Sequence, residues 1–202
     1  MPLPHVADPL RSKDTGGMAI HAQSRKLRGP SDLRKFLESV SRLRDPVTSV
    51  EVEILEANSG GDISWFDMSP LYQYSKLQKL DLVCPRMLPA TDDDVLVMLT
   101  AWPNLRCLIL NPKPQEAGTV VPRLTFRTLD HVARYGTKLE EAAFFLHPGY
   151  NTEVTATLPS ETLRALDLGL SPGHSGRESD EVDKIVLLLN GLFPRLEKFS
   201  WL

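Results

Sequence analysis

The chain has 202 residues, 42% of them apolar and 24% charged, the balance of a folded domain rather than a disordered tail. With 23 Lys+Arg against 26 Asp+Glu the formal charge is −3, which excludes a general cationic surface for nucleic acid. No apolar run approaches the roughly 20 residues of a membrane span, and two cysteines, Cys84 and Cys107, are too few for a disulfide framework or a Cys-rich zinc site, so a reducing compartment, cytoplasm or nucleus, is expected.

Residues 1–30 carry four prolines, Gly16-Gly17 and five cations against Asp8 and Asp14, without apolar periodicity, and read as a disordered basic segment. The folded part is expected over residues 31–202. Ser31 opens a helix with Leu33, Phe36, Leu37 and Val40 on its buried stripe. Val47 to Ile54 alternates and is rich in β-branched residues, the pattern of a strand. Ser69-Pro70 puts proline at a first helical position before Leu71 and Tyr74. Thr91 caps a helix whose first turn is Asp92-Asp93-Asp94 and whose stripe is Val95, Leu96, Leu99 and Trp102, stopped by Pro103. Thr125 starts another through Phe126, Leu129, Val132 and Ala133, with Gly136 at its exit. Ser179, Asp180 and Glu181 open the last, through Val182, Ile185, Val186 and Leu189.

Between these helices one unit recurs: apolar, two mostly polar residues, apolar, any residue, apolar. It occurs as Val47/Val50/Val52, Leu77/Leu80/Leu82, Leu105/Leu108/Leu110, Leu139/Ala142/Phe144, Leu163/Leu166/Leu168 and Leu196/Phe199/Trp201, at spacings of 30, 28, 34, 24 and 33 residues. Three apolar positions recur by chance about 7% of the time at this composition, so the flanks carry the reading. Five units share a polar residue before the first apolar position (Lys76, Asn104, Lys138, Thr162, Arg195) and a long polar one after it (Gln78, Arg106, Glu140, Arg164, Glu197). Strand, loop, helix and return at a period near 30 imply an α/β leucine-rich-repeat solenoid of about six repeats, with parallel strands on a concave face and helices on the convex one.

The stretches Thr91 to Leu110 and Phe193-Pro194-Arg195-Leu196-Glu197-Lys198-Phe199 resemble the leucine-rich-repeat portion of fungal-type F-box proteins. The resemblance implies a non-catalytic protein-binding module that recognises the target of a ubiquitin ligase. Residues 1–30 are too short and too polar for the three-helix F-box, so adaptor and cullin binding does not carry over. The Asn or Cys usual at the ninth repeat position is replaced by Pro85, Lys113, His147 and Ser171, with Cys84 and Asn111 out of phase, so irregular turns are expected instead of a regular side-chain ladder.

Chemistry-bearing motifs are sparse, and an enzyme is not expected. Gly173-His174-Ser175-Gly176 has the look of a nucleophile elbow, which would make a small serine hydrolase of Ser175 and His174, but Arg177 stands at the last position and the setting is a polar loop. Asp92-Asp93-Asp94 is accounted for by the helix start and lacks the spacing of a divalent-cation loop. No cofactor or metal is implied, since phosphate loops are absent and His5, His21, His131, His147 and His174 form no pair at ligand spacing. Trp102 and Trp201 fall on core phases; Trp65 does not.

Alternation in the strands puts positions three, five and seven of each unit on the concave face. From these we expect a partner-binding patch of Asp81, Val83, Ile109, Glu141, Phe145 and Asp167, taking an apolar anchor flanked by basic residues. The sixth unit supplies Leu196, Phe199 and Trp201 to the core with no closing helix after them, so that edge is expected either to self-associate or to be followed by further repeats.

Overall fold

The computed structural model describes residues 20–27, 30–42, 47–54, 65–115, 121–147, 158–171 and 179–201. The elements run β1 (Ile20–Leu27), α1 (Pro30–Ser41), β2 (Val47–Ile54), a 3-10 helix (Trp65–Gln73), β3 (Lys79–Val83), α2 (Asp92–Ala101), β4 (Cys107–Leu110), β5 (Leu124–Thr125), α3 (Phe126–Tyr135), β6 (Glu141–Phe144), β7 (Leu146–His147), β8 (Ala165–Asp167), α4 (Ser179–Leu192) and β9 (Lys198–Ser200). Seven strands form one sheet in the order β1-β2-β3-β4-β6-β8-β9, every pairing parallel; β5 and β7 make a separate short parallel pair. The fold is α/β, and the spatial order of the main sheet is its order along the chain.

The register follows the apolar unit. Val50 pairs with Leu80, Leu80 with Leu108, Leu108 with Ala142, Ala142 with Leu166 and Leu166 with Phe199. The ladder already starts at the polar second position: Gln78 N–H donates to Thr48 O, Arg106 to Gln78, Glu140 to Arg106, Arg164 to Glu140 and Glu197 to Arg164, all at 2.7–2.8 Å. All three apolar positions of the first five units are buried. Phe199 is not, at 46% exposed, and Leu196 and Trp201 are only partly buried, which corrects the expected core role of the sixth unit. Phe199 sits on the edge strand, which among the described residues has a neighbouring strand on one side alone.

Those strand residues share one core with Leu33, Phe36, Leu37 and Val40 of α1, Val95, Met98 and Leu99 of α2, Phe126, Leu129 and Val132 of α3, and Leu189 and Leu192 of α4. The helical layer therefore covers one face of the sheet, and its members pack in chain order, α1 on the 3-10 helix, that helix on α2, α2 on α3 and α3 on α4. α2 begins as its sequence demands: Thr91 Oγ1 accepts from Asp94 N–H while Asp94 accepts from Thr91 N–H at 2.8 Å, a capping box. Thr125 caps α3 by accepting from Arg127 N–H at 3.1 Å, and Gly136 ends it. Asp92 does more than suit the helix dipole. It crosses to the next helix, accepting from Thr125 N–H at 2.8 Å and from the Thr125 and Thr128 hydroxyls.

Several expectations change. Residues 20–27 form β1 rather than belonging to an unstructured segment; their apolar pattern is poor, and the open edge of β2 supplies the hydrogen-bonding partners. The segment around Pro70 is a 3-10 helix that starts at Trp65, with Pro70 inside it. Met98, not Leu96, completes the buried stripe of α2, and Val186 of α4 is exposed. The expected irregular turns carry an ordered set of unit-to-unit bonds. Asn111 Oδ1 accepts from Cys84 N–H at 3.2 Å and its Nδ2 donates to Arg86 O at 2.7 Å, while Ser171 Oγ accepts from Leu146 N–H at 2.7 Å. Asn104 donates to Ser75 O and Trp102 Nε1 to Leu71 O, each at 3.1 Å. Among the described residues no helix is long and apolar enough to cross a membrane.

Candidate functional site

The face of the sheet opposite the helices carries no covering layer over β2, β3 and β4 among the described residues, and its side chains lie in rows set by the strand register. One row is Ser49, Lys79, Cys107, Glu141, Ala165 and Lys198; the next is Glu51, Asp81, Ile109, Ala143, Asp167 and Ser200; Glu53 and Val83 start a third. Alternation along each strand puts them there, because the intervening residues point into the core.

Charge is unevenly placed on this face. Lys79 Nζ donates to Glu51 Oε1 at 2.5 Å and lies 3.8 Å from Asp81 Oδ2. Burial works against the ammonium, yet the hydrogen bond to Glu51 and the charges of Glu51 and Asp81 outweigh it and push the Lys79 pKa above its ordinary value. Asp81 is pushed up by burial; Lys79 opposes this, and Glu51, Glu141 and Glu53 add to it. One lysine thus fails to balance the acids around it. Cys107 lies on the same side, its Sγ 3.8 Å from Glu141 Oε2, and its thiol is pushed up to about 12 by burial and then by Glu141. It is a protonated, unreactive thiol at neutral pH.

Of the expected patch, the structure brings Asp81, Val83, Ile109 and Glu141 together on the open face, with Val83 41% exposed. Phe145 is a correction: it is only 4% exposed and cannot serve as an apolar anchor. Strand phase puts it on the face, but β6 ends at Phe144, and the loops after its two neighbours, β4 and β8, join across that end. Leu170 N–H donates to Pro112 O at 3.0 Å, and Gly169, at φ +52°, approaches so closely that a Cβ there would lie 1.9 Å from Pro112 O. That clasp requires glycine. Asp167 is on the face but is engaged within the molecule, accepting from Gly169 N–H at 2.8 Å and from the Ser200 hydroxyl, with Lys113 Nζ at 3.7 Å. Strand phase already puts Glu51, Glu53 and Lys79 on the concave face, but the expected patch leaves them out; the register sets them beside Asp81 and Val83.

The remaining candidates lie elsewhere. Ser175 and His174 fall outside the described residues, as does the Trp65 side chain. Trp102 is buried and stacked on Tyr72 at 5.6 Å. Among the described residues no group of three His, Cys, Asp or Glu side chains could hold a metal ion. A recess lined by Arg106, Lys138, Glu140, Glu161 and Arg164 opens beside α3's exit; Arg106 pairs with Glu140 at 3.2 Å, Arg164 with Glu197 at 3.8 Å and Glu161 with Arg195 at 2.7 Å, and Lys138 donates to Asn104 Oδ1 at 2.7 Å. Comparison with protein-family models, with curated proteins and with solved structures finds no match.

Proposed function

We propose that the chain is a non-catalytic protein-binding module of the leucine-rich-repeat kind, a solenoid whose concave face is the row-ordered sheet surface, and that it serves as the target-recognition portion of an F-box-type receptor. One observation carries the reading: a parallel sheet laid down in chain order has its helices on one face and, among the described residues, no layer over the other around Asp81, Val83, Ile109 and Glu141. Large exposed faces on ordered scaffolds are where partners dock. The F-box part of the proposal rests on the resemblance of Thr91 to Leu110 and Phe193 to Phe199 alone. Its test is capture from the native cell with the wild-type chain, Ile109→Asp on the open face, and Val97→Asp on the exposed side of α2. A partner retained by Val97→Asp and lost by Ile109→Asp is the expected result, and an adaptor or cullin among the captured proteins would support the F-box part. Equal loss in both variants would remove the face from consideration.

A further inference from the structure

Lys79 shows what this face does with a cation. Its ammonium is held by Glu51 on the strand before and Asp81 on its own strand. One strand further on, the same row position is Cys107, and the position beside it in the next row is Ile109. Asp81 stands on one side of that pair and Glu141 on the other, on strands β3 and β6, which flank β4 and are therefore roughly 10 Å apart. Among the described residues no basic side chain lies within ion-pair distance of Glu141 or of Glu53. Between these two carboxylates lie a small thiol and an aliphatic surface; Lys79, paired with Glu51 and 3.8 Å from Asp81, offsets part of the charge and leaves Glu141 without a cation among the described residues.

Resting on the reading of this face as a docking surface, we propose that its occupant is a basic protein segment, which lays the methylene stem of an arginine or lysine over Ile109 and sets the charged head above Cys107 between Asp81 and Glu141. Long basic side chains combine an apolar stem with a charged head, and the site offers both counterparts within one side-chain length. With Phe145 covered, apolar anchoring is limited to Val83 and Ile109, and charge complementarity chooses the partner. Burial is the main cause of the raised Asp81 and Cys107 pKa values; Glu141 adds to both, and Lys79 opposes both.

The test uses three synthetic nine-residue peptides alternating leucine with arginine, glutamine or glutamate, titrated by fluorescence anisotropy against the full chain. The arginine peptide should bind at least tenfold more tightly than the glutamine peptide. Asp81→Asn with Glu141→Gln should weaken it about tenfold, while Asp93→Asn with Glu161→Gln, which removes the same charge from other surfaces, should change it less than twofold. Folding of the face variant is checked by its melting temperature. This should not fall, because Asp81 carries its charge at a cost of burial. Equal losses in the two double variants would reduce the effect to net charge and overturn the proposal. A glutamine peptide that binds as well as the arginine one and is lost on Ile109→Asp would also overturn it, leaving the docking face standing. Peptides that all fail to bind would overturn the basic occupant, and the capture experiment would then judge the face by itself.

Discussion

Asn111 concentrates much of the turn chemistry in one side chain. It is 2% exposed, has φ +46° and satisfies both Cys84 N–H and Arg86 O, so it links its own turn to the one before. Asparagine tolerates the left-handed region better than other residues with a Cβ. Asn111→Gly keeps the backbone conformation and abandons both bonds, and should cost about 2 kcal/mol in urea unfolding. Asn111→Leu should cost roughly 1 kcal/mol more, because it adds left-handed strain to the same losses. A neutral Asn111→Gly would show that the turn is held by other contacts. His131 makes the opposite kind of prediction. It is buried on α3 with neither ring nitrogen partnered among the described residues, and its pKa is lowered by burial and by Arg127, against the pull of Asp130, Asp92 and Asp93. The unfolded chain therefore takes up the proton first as pH falls. Stability is full above the ordinary value of 6.5 and declines below it. His131→Leu should flatten the difference in unfolding free energy between about pH 7.5 and pH 5.5; an unchanged slope would place the acid sensitivity elsewhere.

At the scale of elements, equivalent positions carry unequal loads. Leu166 on β8 and Phe199 on β9 are register partners, yet the first is buried and the second half-exposed at the edge. Leu166→Ala should cost about 2–5 kcal/mol, the usual range for a buried leucine, and Phe199→Ala under half of that although it removes a larger side chain. Equal costs would mean that the edge is covered in solution. Leu187 on α4, the helix that precedes β9 in the chain, is 71% exposed. Self-association through the β9 edge would appear in light scattering as a mass that rises with concentration and reverts to monomer in Phe199→Lys. The strands are legible in the sequence because their inward phase is nearly all Leu, Val or Phe, and the helices because Thr91 and Thr125 are caps with acid or apolar followers. Phe145 is misread by the same logic. Alternation says which way a side chain leaves its strand, and it is silent on a clasp between Pro112 and Leu170 that forms across two other strands. β1 is illegible for a related reason, since its pairing comes from β2 and not from its own pattern.

For the molecule as a whole, ordering along the chain puts nearly all strand and helix contacts between neighbours in sequence; the clasp of Pro112 with Gly169 and Leu170, which spans β6, is an exception. The helical layer repeats the order of the sheet, and Asp92, Asn111 and Ser171 each reach only the adjacent unit. Opening should therefore begin at the ends. Amide hydrogen exchange is expected to be slowest in β3, β4 and β6, which have strands on both sides, and fastest in β9. Uniform protection across the sheet would show that the stack opens only as one unit. The proposed site lies on β3, β4 and β6, strands paired on both sides, so the fold itself fixes the spacing between Asp81 and Glu141.

The identity of spatial and chain order also gives the molecule a mechanical character. Ile20 and Trp201 lie towards opposite edges of the sheet, so a force between them acts across the strands, along the hydrogen bonds, and loads one ladder at a time. Strands pulled in this direction peel instead of shearing. In an optical trap with handles at those two positions, extension should proceed in steps at low force, each step releasing one strand with its helix. With units of 24–34 residues, each step should lengthen the chain by roughly 80–120 Å at about 3.5 Å per residue. A single rupture at high force would contradict this. A chain that yields stepwise is a spring, and a partner spanning β3, β4 and β6 would act as a brace across its middle coils.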